Sequence, residues 1–269
     1  MENALASGLH DVAAAFVNAR RHARVLLDYP GTRPNNLADA YLIQDRAIAL
    51  DGRAIVGWKV GRINPPDDRR LGSNRLVGPI FADSVRSATG TDAEPEMRVY
   101  ADGFAAAEAE LMLHVADDWY RSEPRNDADT RALIDDVRLG IEIASSPYPK
   151  INADGPAVTA SDFGNNAGLV LGQALAGWQH LDLCSILVSV EIDGQIVGQA
   201  TAATMLDGPL GAVRFLIAHL TERGIDNPAG FWVSTGAITG VHDVMPNQHV
   251  RAIFGSYGDV RCRIQSAHK

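Results

Sequence analysis

The sequence predicts an α+β protein: a small helical lobe at the N-terminus, then a larger domain in which strands outnumber helices. Two observations predict this. Apolar residues recur every three or four positions through the first fifty residues and every second position from Ala54 onward. Beyond that change, helices do not alternate regularly with strands, as a doubly wound sheet would require. The 269 residues suffice for one large domain or for one domain with an appendage. The expected division is 1–62, the lobe leading into the first strand, and 63–269.

Each element has a local reason. Leu5, Leu9, Val12 and Phe16 form one helical stripe that must stop near Pro30. In the second helix Asn36 is the N-cap with Asp39 three residues on, Leu37, Tyr41 and Ile48 share a face, and Gly52 is the stop. AIVGWKVG (54–61) reads as a strand with Gly57, Lys59 and Gly61 on one side, and INPPDDRRLGSN after it as a loop. DDWYRSEPRNDADT (117–130) is a polar connection suited to a mobile surface loop or a lid, leading to a helix at 129–137. VSVEIDGQIVGQA alternates on both sides of Asp193–Gly194, the dipeptide of a type I′ hairpin. Asp207, Pro209 and Gly224 bracket a helix with the stripe Val213, Leu216, Ile217 and Leu220. GFWVSTGA and the two segments flanking Gly258–Asp259 return to period two.

Composition narrows the function classes. Hydrophobic residues at 46% and charged residues at 21% are ordinary globular usage, which sets disorder aside. A formal charge of −9, with basic residues scattered, argues against a nucleic-acid partner. Cys184 and Cys262 share no metal or redox spacing and read as small buried hydrophobes. The first residues lack a cationic secretory n-region, and no apolar run approaches the roughly 20 residues that span a bilayer. The expectation is a cytoplasmic protein with no membrane partner.

The chemistry is carried by AEAELMLHV (107–115). On a helix Glu108 and Glu110 would diverge; on a strand they share a face with Met112 and His114, while Ala109, Leu111, Leu113 and Val115 form an apolar face opposite. RLGIEIASS (138–146) makes a second strand with one acid, Glu142, in an apolar setting. Three carboxylates from two strands suit a hard cation such as Mg²⁺ or Mn²⁺. They equally suit a wet face of an antiparallel sheet, and spacing alone does not choose. His114 reads as a hydrogen-bonded bystander. Lys59 stands between glycines, where a ligand can approach closely, or else snorkels from an edge strand.

Five motifs in order, GWKVG (57–61), E-x-E (108–110), GIEI (140–143), DFGNNAGLVLG (162–172) and STGAITG (234–240) followed by MPNQHVRAIFGSYGDV, resemble the fumarylacetoacetate hydrolase superfamily. The N-terminus and length are similar to its 2-keto-4-pentenoate hydratase and 4-oxalocrotonate decarboxylase branch. The resemblance spans nearly the whole chain. It implies a rolled mixed β-sheet and metal binding by Glu108, Glu110 and Glu142. It also implies Lys59 as the active-site lysine and substrate contacts at Thr235 and Asp162. It further implies Mg²⁺ or Mn²⁺ as cofactor, with Ca²⁺ as a crystallographic substitute, a small 2-oxo acid substrate and a homo-oligomer. The implied activity is a hydratase, a lyase acting on 2-hydroxy-2,4-dienoates through a metal-stabilised enolate. The alternatives are a decarboxylase or C–C hydrolase on a related 2-oxo acid, or a non-catalytic keto-acid binder.

The chain departs from the family pattern around this set. Leu76 in RLVG (75–78) stands where an acid is usual, Phe163 replaces the Asn of D-N-A-S, and Ser145 and Pro147 replace an acid and an arginine. Gln199 to Thr201 stand in place of a Ser-Gly pair, and LDGPL replaces L-G-H-P-L.

Overall fold

The change of period at residue 54 is where helix gives way to sheet. A computed structural model describes residues 2–89, 94–225 and 229–267, with side chains from residue 7 onward. Helix α1 (Glu2–Arg21) buries Leu9, Val12 and Phe16, while Leu5 of the expected stripe lies outside the described side chains. Helix α2 (Leu37–Asp51) starts where Asn36 Oδ1 accepts from the Asp39 amide at 2.8 Å and stops at left-handed Gly52, φ 72°.

Strand β1 (Ile55–Arg62) is followed by a short helix α3 (Asp67–Leu71) within the stretch read as loop. Then come β2 (Arg75–Phe81), β3 (Val85–Ser87), β4 (Glu96–Val99) and β5 (Phe104–Val115). The helix expected at 129–137 is shorter and earlier: α4 is Asp127–Ala132, capped by Asn126, and β6 already runs Ile134–Ser146. Val137 pairs with Leu113 of β5, so strand pairing claims the apolar residues that had looked helical. Nor is 117–130 a free polar loop, because Trp119 is 1% exposed, edge-on to Phe231 with ring centroids 5.1 Å apart.

Next are α5 (Pro156–Ser161), β7 (Asn166–Ala174), and the hairpin β8 (Leu187–Ile192) and β9 (Gln195–Thr201). The hairpin turns at Asp193 (φ 49°) and Gly194 (φ 78°), both left-handed as a type I′ turn demands. Helix α6 (Gly208–Glu222) buries its predicted stripe, but Asp207 makes no side-chain cap: its carboxylate is held by Arg75 and Arg214. The chain closes with β10 (Phe231–Ser234), β11 (His242–Asp243), β12 (His249–Phe254) and β13 (Asp259–Ser266).

Among the described residues the strands form two sheets. The larger runs β2-β1-β10-β5-β6-β7-β3, with β11 on β5, and is mixed: β1/β10 and β3/β7 are parallel, the other pairs antiparallel. The smaller runs β4-β13-β12-β8-β9. Apolar side chains of both sheets and α6 share the main core, including Leu111, Leu139, Ile141, Val190, Phe254 and Leu216. A second cluster joins α1 and α2 to Phe81, Tyr148 and Phe163. The other face of the larger sheet curls over Ile80, Met112, Leu169 and Leu171. The acids stand on that inner face. No helix among the described residues is long and apolar enough to cross a membrane. Of the cysteines, Cys262 is fully buried and Cys184 only partly.

Candidate metal centre

Alanine and glutamate favour helix in isolation, yet β5 is held extended by hydrogen-bonded neighbours on both sides, β6 and β10. That pairing decides the geometry. Period two puts Glu108 and Glu110 on one face, and antiparallel register sets Glu142 directly across from Glu108. One carboxylate oxygen from each of the three lies within 4.8 Å of the others. Glu108 is 6% exposed and the other two are fully buried, which rules against the solvated-face reading of the sequence.

Three carboxylates so placed repel one another in a poorly solvated setting. Burial first, then Glu142, outweighs the attraction of Lys59 and raises the Glu108 carboxyl to about 7. Glu110 is pushed well above the carboxylate range by burial, Glu142 and Glu108, against hydrogen bonds from Ser234 and Gly236. Those bonds engage only one oxygen: Ser234 Oγ and the Gly236 amide (2.9 Å) donate to Glu110 Oε2, while Oε1 is buried with no hydrogen-bond partner among the described residues. An acceptor orphaned in this way, beside two more anionic oxygens, fits a divalent cation. Asn166 Nδ2 donates to Glu142 Oε1 at 2.8 Å and fixes that carboxylate from behind.

Lys59 belongs to the same constellation. β1 lies inside the sheet, not at its edge, and the side chain is 4% exposed. Its ammonium sits 3.6 Å from Glu142 Oε1 and donates to Asn165 Oδ1 at 3.3 Å. Burial pulls the lysine pKa down, but Glu142, Glu108 and Glu110 together carry it above its ordinary value, so it is charged. The flanking glycines act differently from each other. A Cβ at Gly61 would stand 3.4 Å from Lys59 Nζ, whereas one at Gly57 would strike Trp232 O at 2.5 Å.

Asn165 was not singled out by the sequence. It ends the run Phe163, Gly164, Asn165, all left-handed with φ of 54°, 60° and 58°. The turn can sit against β2 because Gly78 has no side chain, a Cβ there falling 2.0 Å from Phe163 O. Asn165 Nδ2 in turn donates to Asn152 Oδ1 at 3.0 Å. An Asn after Gly was the available signal, since both tolerate left-handed backbone.

Above the acids opens a cavity of about 770 Å³, lined by Lys59, Glu108, Asn152, Asn165, Leu76 and Thr235 among others. Thr235 is 2% exposed and its hydroxyl donates to Leu111 O at 2.8 Å. Asp162 does not line this cavity. Its carboxylate accepts from Arg20 (2.6 and 2.9 Å) and from Ser146 Oγ (2.6 Å), tying α1 to the sheet domain. Ser145 donates to Phe104 O at 2.6 Å, a backbone clamp. His114 is bonded to Asp135, as a bystander. A larger cleft, about 850 Å³, is lined by Arg20, Arg53, Arg98 and Asn166 among others, and by none of Glu108, Glu110 and Glu142. The chemistry therefore lies in the smaller space.

No family model matches the chain. It is 27% identical over 272 residues, 97% of each chain, to a 4-oxalocrotonate decarboxylase of Pseudomonas putida. It is also 27% identical to a 2-keto-4-pentenoate hydratase of Burkholderia vietnamiensis, over 244 residues and 88% of each. Among solved structures, 4-oxalocrotonate decarboxylase from Pseudomonas putida G7, complexed with calcium and acetate, superposes with a TM-score of 0.78 at 24% identity, covering 96% of this chain and 97% of that one. The fold is thus shared from end to end. With the five ordered motifs, these relatives support a divergent member of the fumarylacetoacetate hydrolase superfamily, on the branch of 4-oxalocrotonate decarboxylases and 2-keto-4-pentenoate hydratases.

Proposed function

We propose that the chain is a divalent-metal-dependent lyase acting on a small 2-oxo acid or its dienol, with hydration of a 2-hydroxy-2,4-dienoate as its reaction. The single observation that carries this is the buried glutamate trio with the orphaned Glu110 Oε1, standing beside a charged lysine at the floor of a cavity. Relatives named as hydratases and decarboxylases support catalysis, and the decarboxylase structures with calcium and acetate or magnesium and adipate support a divalent ion with a carboxylate ligand.

Glu108, Glu110 and Glu142 would hold the ion, which when bound acts as a Lewis acid on the substrate's C2 oxygen and relieves enolate charge. Lys59 faces the cavity as a fixed cation, so it pairs with the substrate carboxylate or delivers a proton to the carbon chain. Asn165 holds that ammonium in line. Thr235, its proton committed to Leu111 O, presents lone pairs to a donor on the substrate.

One observation favours decarboxylation as a second reading. Leu76 leaves that wall of the cavity apolar, and of the carboxylates lining it, Glu108 belongs to the metal set and Asp67 is held by Arg70 at 2.7 Å. Among the described residues lining the cavity, no further carboxylate is left to activate water. With Mg²⁺ or Mn²⁺ present, loss of dienol absorbance with formation of a 4-hydroxy-2-oxo acid marks the hydratase, and release of CO₂ from a 2-oxo diacid marks the decarboxylase. Stabilisation by metal and oxalate without turnover of either marks a keto-acid binder and overturns the lyase reading.

A further inference from the structure

The larger cleft, about 850 Å³, shares no lining residue with the cavity above the glutamates. Five arginines line it, Arg20, Arg21, Arg53, Arg86 and Arg98, against three acids, Asp51, Asp83 and Glu96. The chain as a whole carries a formal charge of −9, so this concavity reverses the sign of the molecule locally. Its arginines come from the last turn of α1, the connection between α2 and β1, β3 and β4. Only the fold brings them together. Part of the charge is answered within it: Arg20 is paired with Asp162, and Arg53 with Asp51 and Asp83. The rest is not. Arg21 donates to the carbonyls of Leu50 and Asp51, and Arg86 to those of Asp83 and Val85, neutral acceptors that leave each guanidinium its full charge. The Arg98 side chain has neither a hydrogen bond nor a carboxylate partner among the described residues. Alternation along β4 buries Met97 and Val99 and turns Arg98 outward. Glu96, the remaining acid, accepts from Gln265 at 3.1 Å.

We propose that this cleft is a binding site, separate from the metal centre, for a small molecule carrying a diphosphate group. A carboxylate is planar, and one or two guanidinium forks saturate it. Phosphate groups offer more acceptor oxygens, in several directions, and more charge, which suits guanidinium groups arriving from separate elements. Arg98 and Arg86, both exposed and without an acid, supply the uncompensated charge. Arg53 is held on both sides by Asp51 and Asp83, so it stands in place before a ligand arrives and loses little freedom on binding. The volume lies inside the range of roughly 300–1,000 Å³ that small-molecule sites occupy. It leaves room beyond the diphosphate, beside the buried apolar side chains of Phe81 and Met97, for the rest of the ligand. A purely structural role accounts for Arg21, which caps the carbonyl end of α2, but not for Arg98.

The test is calorimetric titration of the full chain with pyrophosphate in metal-free buffer at fixed ionic strength, so that its outcome is independent of the glutamate centre. Tricarballylate, a tricarboxylate of comparable charge, is titrated alongside. The wild type is expected to bind pyrophosphate about tenfold more tightly than tricarballylate, the scale of one charge-assisted contact. Arg98→Gln and Arg86→Gln, both exposed positions where the fold should tolerate the change, should each weaken pyrophosphate about tenfold. Arg98→Lys should restore part of the loss. Lys59→Met, in the other cavity, should leave pyrophosphate affinity unchanged. No binding by the wild type, equal affinity for the two anions, or affinity that survives both glutamine variants overturns the assignment. Loss of binding in Lys59→Met alone would move the anion to the catalytic cavity and overturn it equally.

Discussion

Glu110 has one oxygen held by Ser234 and Gly236 and the other by no described residue, so its charge is carried by the protein only at a cost that a cation would remove. Glu110→Gln or Glu108→Gln should therefore leave the fold intact and weaken Mg²⁺ affinity on the order of 100-fold or more, abolishing metal-dependent turnover. Calorimetric Mg²⁺ titration with far-ultraviolet circular dichroism checks both halves, and unchanged affinity would remove the residue from the ligand set. Lys59→Met should act differently, lowering turnover more than metal affinity, because the ammonium faces the cavity as well as Glu142. The glutamates and Lys59 were legible in the sequence because a polar residue in an alternating apolar run declares its face by period alone. Asn165 was not. It reaches Lys59 only because a left-handed turn packs on Gly78 from a strand more than eighty residues earlier, and no local spacing encodes that contact.

At the scale of elements, pairing partners overrode local preference twice. The alanine-rich β5 is strand because β6 and β10 flank it, and residues 134–137 left their expected helix because β5 claims them. Caps and turns with their own side-chain chemistry, Asn36, Gly52 and Asp193–Gly194, were read correctly from sequence. The contact between β2 and the Phe163–Asn165 turn allows a direct test. Gly78→Ala places a methyl 2.0 Å from a carbonyl oxygen, so the turn must shift and draw Asn165 from the lysine. Urea unfolding should show a loss of about 1–3 kcal/mol, with reduced turnover; full stability and activity would mean that the turn does not position Lys59. Helix α6 carries a pH-dependent element. His219 stacks on Phe215 at 5.7 Å, its Nε2 is buried without a partner among the described residues, and burial followed by the nearby Arg223 lowers its pKa to about 4. Unfolded, the imidazole titrates near its ordinary 6.5, so between pH 6.5 and about 4 the unfolded chain binds more protons. Stability should therefore fall as pH drops through that window, by at most ~1.4 kcal/mol per unit from this residue and less for its partial exposure. His219→Phe should flatten that slope relative to wild type in denaturant titrations at pH 7, 6 and 5. Parallel slopes would show that the ring protonates freely in the fold.

Across the whole molecule, the lobe and the sheet domain are joined at more than one level. The side chains of α1 and α2 share a cluster with Phe81, Tyr148 and Phe163, and the ion pair of Arg20 with Asp162 crosses the same boundary with side-chain exposures of 6% and 0%. The division at residue 62 falls at the end of β1, which the larger sheet holds between β2 and β10. The lobe is thus expected to unfold with the sheet rather than before it. The candidate metal site couples to that same transition, since β5 and β6 present the glutamates on one face and Leu111, Leu139 and Ile141 to the main core on the other. A ligand that binds only the folded chain stabilises it by mass action, about 2.7 kcal/mol when present at 100 times its dissociation constant. For a chain of this size each kcal/mol moves the midpoint by roughly 2–4 °C, so saturating Mg²⁺ or Mn²⁺ should raise Tm by about 5–10 °C. Scanning calorimetry should show one transition moving as a unit, and EDTA should return it to its starting point. Two transitions, with only the upper one responding to metal, would separate residues 1–62 as an independently folding lobe; no response at all would mean that the buried glutamates bind no ion.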